Sequence, residues 1–348
     1  MLKKPHLIKS LGLIAIASTL SAGAFAQDTL RLTMANGIAA TVPTSWMFTD
    51  YIAPRLEEYS EGKIETAVTI GGGLCSEHAC VEQALLGEID IGSVSGGNIG
   101  GFGSTFDILN LPYIFKDDVE AEKVMNGWLA EELGKRAREE MDLHIITVVP
   151  SLGFRNLQNR VREIKTPADL KGLKIRVTKT DVELGLLNGW NAVATPFDWA
   201  NLYEGLQTGV VDGMYIPDAY VAARKFYEVT PYITTTGGVL NSHIIFMSAA
   251  RYDGLPQWAR DVIDRVGGEL QAEAFVIDRQ WQAERLKELE GKVTYYEPTE
   301  EEMLKWYESV PDVWVTVKDT FDPSLARKVL EDQGMTELLG GLEAAGAL

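Results

Sequence analysis

Apolar side chains recur along this chain in two rhythms, and each rhythm predicts an element. Residues 29–35 and 63–70 alternate apolar with polar positions, the period of a strand with one face buried. Between them Trp46, Met47, Ile52, Ala53 and Leu56 share one face of a helix predicted over residues 44–60, with Gly62 as its stop. A short helix over 81–86 ends at Gly87, and a buried strand is predicted over 89–94. This β-α-β-α-β succession predicts an α/β domain with helices packed on a largely parallel sheet. A charged amphipathic helix over 120–140 and a strand over 144–149 complete the first part.

A second α/β unit follows. The turn Asp169-Leu170-Lys171-Gly172 leads into a strand over 173–177, helices over 181–190 and 199–207, and a strand over 210–215. Past Pro256 the texture changes. Trp258, Val262, Ile263, Val266, Leu270, Phe275, Ile277, Trp281 and Leu286 recur at helical spacing up to Gly291. At the α-helical rise that stretch is roughly 50 Å long, more than one small domain is wide. It either runs across both units or breaks at Gly267-Gly268. The remaining C-terminal part is acidic and helical.

The first 26 residues read differently. Lys3, Lys4, His6 and Lys9 form a basic head, residues 11–20 an apolar stretch too short to span a bilayer, and Ala24-Phe25-Ala26 a cleavage signal before Gln27. A signal peptide cleaved near Ala26-Gln27 is expected, with the mature protein exported. Export gives Cys75 and Cys80 a meaning, since an oxidising compartment lets them pair and pin the loop before a helix. A metal site built from Cys75, His78 and Cys80 lacks a fourth ligand and a familiar zinc spacing, and two free thiols are the third reading.

Composition narrows the function. The chain of 348 residues is 46% hydrophobic and 24% charged, as in ordinary globular proteins. Its 32 Lys+Arg against 50 Asp+Glu give a formal charge of −18, which disfavours nucleic acid and anionic membrane surfaces as partners. No H-E-x-x-H pair, G-x-S-x-G elbow or Walker A loop occurs. The glycines Gly96-Gly97 and Gly100-Gly101 lack the G-x-G-x-x-G order, and a flexible loop at a sheet edge is expected there. No catalytic residue, metal or cofactor is expected. Arg176 stands out within Leu173-Lys174-Ile175-Arg176-Val177, a strand that otherwise reads as buried. A buried guanidinium must be paired, and its fork suits a carboxylate, either an internal one or a ligand's. Arg155 in Gly153-Phe154-Arg155-Asn156 is a weaker case of the same kind. Trp199, Tyr203 and Tyr215 are aromatic candidates for a cavity wall or for core.

From about Leu30 to Pro256 the chain resembles the DctP-like solute-binding proteins of TRAP transporters. The likeness rests on Gly62-Lys63-Ile64, Val81-Glu82-Gln83, the Leu-Gly-Glu-Ile-Asp-Ile-Gly run at 86–92 and Leu111-Pro112-Tyr113-Ile114-Phe115. It rests further on Gly153-Phe154-Arg155, the run from Thr166 to Val177, and Leu206-Gln207-Thr208-Gly209-Val210-Val211-Asp212-Gly213. The resemblance implies a type II-like periplasmic binding fold, with mixed sheets flanked by helices, hinge strands and a long helix spanning both lobes. The lobes are expected at 27–151 plus 240–280 and at 152–239 plus 281–348. It implies a periplasmic monomer that closes on a small-molecule ligand, a carboxylate, and delivers it to TRAP membrane permease subunits. Arg176 is then the carboxylate grip, Arg155 a second contact, Trp199 the aromatic on the ligand and Glu77 the acidic residue in the loop after the second strand. Tyr215, Asn36, Ser95 and Asn241 complete the candidate set.

The chain also departs from the family's patterns. Ile216 stands where many members have a pocket asparagine, and Gly238 where members often have histidine. These departures suggest a compact or partly apolar carboxylate. A competing set, Trp46, Trp199 and Tyr215 with Glu77 and Asp218, would suit a small amine or zwitterion. An exported hydrolase or lyase is a third reading.

Overall fold

Among the described residues, hydrogen bonding joins nine strands into one mixed sheet. A computed structural model describes residues 29–348; the signal peptide expected before Gln27 lies outside the described residues. The strands are β1 (Leu30–Asn36), β2 (Ile64–Thr69), β3 (Ile91–Ser95), β4 (Leu143–Asn159), β5 (Lys174–Val177), β6 (Val193–Pro196), β7 (Gly213–Pro217), β8 (Tyr232–Ser248) and β9 (Thr294–Tyr296). They lie in the order β2-β1-β3-β8-β4-β7-β5-β6, with β9 added beside β8. The expected α/β character holds. β1 pairs parallel with β2 and β3, β5 pairs parallel with β6 and β7, and helices flank the sheet.

The two 17-residue strands carry the architecture. One part of β4, from Leu143 to Pro150, pairs with residues 242–248 of β8, and that stretch of β8 also faces β3. The other part, from Arg155 to Asn159, pairs with β7. Between Pro150 and Phe154 the β4–β8 register shifts, and Leu152 and Gly153 take positive φ of 63° and 87°. The sequence reading stopped the strand at 149 and missed β8, because Pro150, Gly153 and the Thr-Gly stretch at 234–238 interrupt the apolar run.

The stretch after Pro256 is one unbroken helix, Gln257–Lys287. Gly267 does not break it. A Cβ there would lie 2.4 Å from the carbonyl oxygen of Ile146, so the glycine lets the helix press onto β4. The helix predicted over 44–60 runs from Pro43 to Tyr59 with a π-helical stretch at Met47–Ile52, and the one over 120–140 has another at Met125–Leu129. Four C-terminal helices form a further layer. Trp314 Nε1 donates to Pro112 O at 3.1 Å and Trp306 Nε1 to Lys165 O at 3.1 Å, tying that layer to both parts of the chain.

The glycine loop after β3 corrects the edge-loop expectation. β3 is an interior strand, between β1 and β8, and a Cβ at Gly97 would lie 2.3 Å from Thr178 Oγ1. These glycines permit a close approach.

Candidate functional site

A small cavity opens where the loops after β1, β3 and β5 meet β4, β7 and β8. Arg176, Arg155, Trp199, Glu77, Ser95 and Asn241 line it. Six of the eight predicted ligand contacts therefore converge.

Arg176 comes from β5, whose Ile175 and Val177 are buried on the opposite face of the strand, so alternation turns Arg176 toward the cleft. Only 2% of it is exposed. Its Nε donates to Phe197 O at 2.9 Å, and its guanidinium stands 5.8 Å from the centre of the Trp199 ring. No carboxylate lies within 4 Å of it among the described residues. Burial pushes this guanidinium down to about 10, partly offset by the charge of Glu183. Arg155 differs. Its Nη1 bonds Glu183 Oε1 in a fully buried ion pair, and Glu183 Oε2 accepts from Thr178 N at 2.9 Å. The internal-pair reading thus describes Arg155, not Arg176.

Glu77 opens the helix Glu77–Leu86, where the helix dipole favours a carboxylate. It accepts from Ser95 Oγ at 3.1 Å and from Asn98 Nδ2, and His243 Nε2 stands 3.7 Å away. Burial holds His243 below its ordinary value. Asn241 Nδ2 donates to Ser151 O at 2.9 Å. Cys75 and Cys80 form the expected disulfide, with Cα atoms 5.0 Å apart, so the metal and free-thiol readings fall. That bond brackets Glu77 and His78.

Two predicted contacts lie elsewhere. Tyr215 alternates with Met214 and Ile216 along β7, so its ring turns away and packs edge-on against Trp190 at 5.5 Å. Asn36 is fully buried, and its Oδ1 accepts from Ile38 N at 3.0 Å, pinning the loop after β1. Tyr203 is half-buried against the apolar cluster that holds Phe226, outside the cavity, and its hydroxyl donates to Glu228 at 2.7 Å. The amine-binding set is likewise dispersed. Trp46 packs against Tyr51, and Asp218 is held by Asn156 and Gln158 with its carboxyl pushed up to about 6 by burial. Only Trp199 and Glu77 of that set reach the cavity.

Of the two departures, Ile216 lines the cavity. Gly238 does not, because a Cβ there would lie 2.5 Å from the Tyr215 hydroxyl. Sequence reasoning missed His243, Asn98, Thr178 and Tyr220 in the lining. His243 offered one signal, an ionisable group beside Ile244 and Ile245; the others offered none.

Comparison with known proteins agrees with this geometry. Residues 40–319 match the bacterial extracellular solute-binding protein family 7. A solute-binding protein of Verminephrobacter eiseniae is 30% identical over 235 residues, covering 68% of this chain and 69% of that protein. The C4-dicarboxylate-binding periplasmic protein DctP of Rhodobacter capsulatus is 27% identical, covering 74% and 77%. Among solved structures, the sugar acid binding protein DctPAm of Advenella mimigardefordensis, in complex with galactonate, superposes with a TM-score of 0.81 at 26% identity, covering 91% of this chain and 99% of that one. Family, sheet and cleft coincide: the chain belongs to the bacterial extracellular solute-binding proteins of family 7.

Proposed function

We propose that this protein is the periplasmic solute-binding subunit of a TRAP-type transporter, capturing a small organic carboxylate between two lobes and handing it to membrane permease subunits. The observation that carries the reading is Arg176, a buried cation facing the cavity with no carboxylate at ion-pair distance among the described residues. A charge so placed is costly alone, and a ligand carboxylate satisfies it bidentately. The relatives that bind a C4-dicarboxylate and galactonate point to the same ligand class.

In this reading the lobes are residues 27–151 plus 240–280 and 152–239 plus 281–348, after removal of a leader near Ala26-Gln27. The register shift in β4 supports a hinge at Pro150–Phe154. Closure would exclude water and strengthen the Arg176–carboxylate pair. Ile38, Ile216 and Pro217 give the cavity an apolar wall, which favours a compact, partly apolar acid over a polyhydroxylated one.

A thermal-shift screen of ligand-free protein against succinate, galactonate and a small amine tests this. A carboxylate is expected to raise the melting temperature, most strongly a compact one. Arg176→Ala is expected to cost at least about tenfold in affinity for it, since hydrogen bonds to charged groups contribute ~1.5–3 kcal/mol. Stabilisation by the amine alone, or unchanged affinity in Arg176→Ala, would remove the clamp.

A further inference from the structure

Asp278 is fully buried on the helix Gln257–Lys287, with no cation at ion-pair distance among the described residues. Its Oδ1 accepts from the backbone N–H of Leu152 at 2.5 Å, and its Oδ2 from Gln282 Nε2 at 2.9 Å. Leu152 and Gly153 are the residues of β4 in the left-handed region, which strains a leucine. Gln282 Oε1 fills the place of a Gly153 side chain, since a Cβ there would come within 2.3 Å of it.

The position of Asp278 along the helix matters as much. Toward the helix start, apolar residues as far as Ala274 pack with Leu32, Met34 and Ile52. Toward its end, Trp281 packs against a different cluster, the one that contains Leu152, Tyr220 and Phe226. Asp278 thus sits where the helix passes from one apolar cluster to the other, opposite the point where β4 does the same.

We propose that Asp278 and Gln282 are positioning residues for ligand capture, clamping the Leu152–Gly153 crossover to the long helix and so setting the angle at which the two halves meet. This rests on the reading of a cleft that closes. The buried acid is then explained as the anchor of a strained backbone segment rather than as an ordinary core residue.

Pulsed electron paramagnetic resonance on the full chain tests the proposal. Spin labels go on Leu86→Cys and Val210→Cys, which are 75% and 51% exposed, because both native cysteines are in a disulfide. In ligand-free protein, Asp278→Asn and the milder Gln282→Ala are each expected to broaden the distance distribution and move its mean relative to the parent. A distribution unchanged in both variants, whatever their melting temperatures, overturns the clamp and leaves a purely structural role. Failure of the closing cleft looks different: the parent then gives one distribution with and without succinate or galactonate, even where that acid raises its melting temperature. The Arg176→Ala affinity comparison scores the site independently of either result.

Discussion

Glu183 belongs to no motif, yet it decides which of two similar arginines has a carboxylate at ion-pair distance inside the protein. It answers Arg155 inside the protein and holds Thr178 N. Removing one partner of a buried pair leaves an uncompensated charge, so Glu183→Ala is expected to lower stability by about 3–5 kcal/mol in urea unfolding. Arg176→Met should do the opposite, leaving stability equal or higher, because it deletes a buried cation that no carboxylate among the described residues pairs at ion-pair distance. A large loss in Arg176→Met would mean that an internal carboxylate answers this charge. At this scale the sequence was informative where chemistry and pattern conflicted. A charge inside a strand that reads as buried marked Arg176, whereas Tyr215 and Asn36 looked polar enough for a site and were absorbed by packing and by a loop. The side on which a β7 residue points follows from register, and Met214-Tyr215-Ile216 alone does not announce it.

Elements read well where one period ran unbroken and poorly where strands crossed the molecule. The short strands β1, β2, β3, β5 and β7 and the helical period after Pro256 were legible, whereas β6 and β9, of four and three residues, were too short to show a period. β4 and β8 were not legible either, since the irregular residues that let them bend also erase their alternation. The adjacent glycines of the long helix make the point quantitative. Gly268 has nothing within 4 Å of a Cβ, so Gly268→Ala is expected to stabilise by about 0.5–1 kcal/mol through helix propensity. Gly267→Ala meets the Ile146 carbonyl and should instead destabilise by about 1–3 kcal/mol. Equal effects in denaturant melts would show that the helix does not press on β4 as described.

For the whole molecule, buried acids set the response to pH. Burial pushes the carboxyls of Asp107 and Asp278 up to about 7 and that of Asp218 to about 6, all above the ordinary value of 3.8. Such groups bind protons more tightly folded than unfolded, so their contribution is present at low pH and is lost as pH rises through the folded values. His243 and His144, held below 6.5 by burial, act oppositely as pH falls past that value. The melting temperature is therefore expected to rise as pH is lowered from about 8 toward about 6.5, and Asp107→Asn should flatten the rise. A melting temperature that falls over this window would contradict the assignment.

The pairing of β4 beside β8 carries one more consequence. Two neighbouring antiparallel strands that cross the same gap act as a door hinge rather than a ball joint: they permit one rotation and resist sliding and twisting. On the proposed closure, the opening of the cleft is then a single angle, and the separation between Arg176 on one side and Glu77 on the other varies along one coordinate. Such a molecule works as a caliper, and ligands of one charge are sorted by their length.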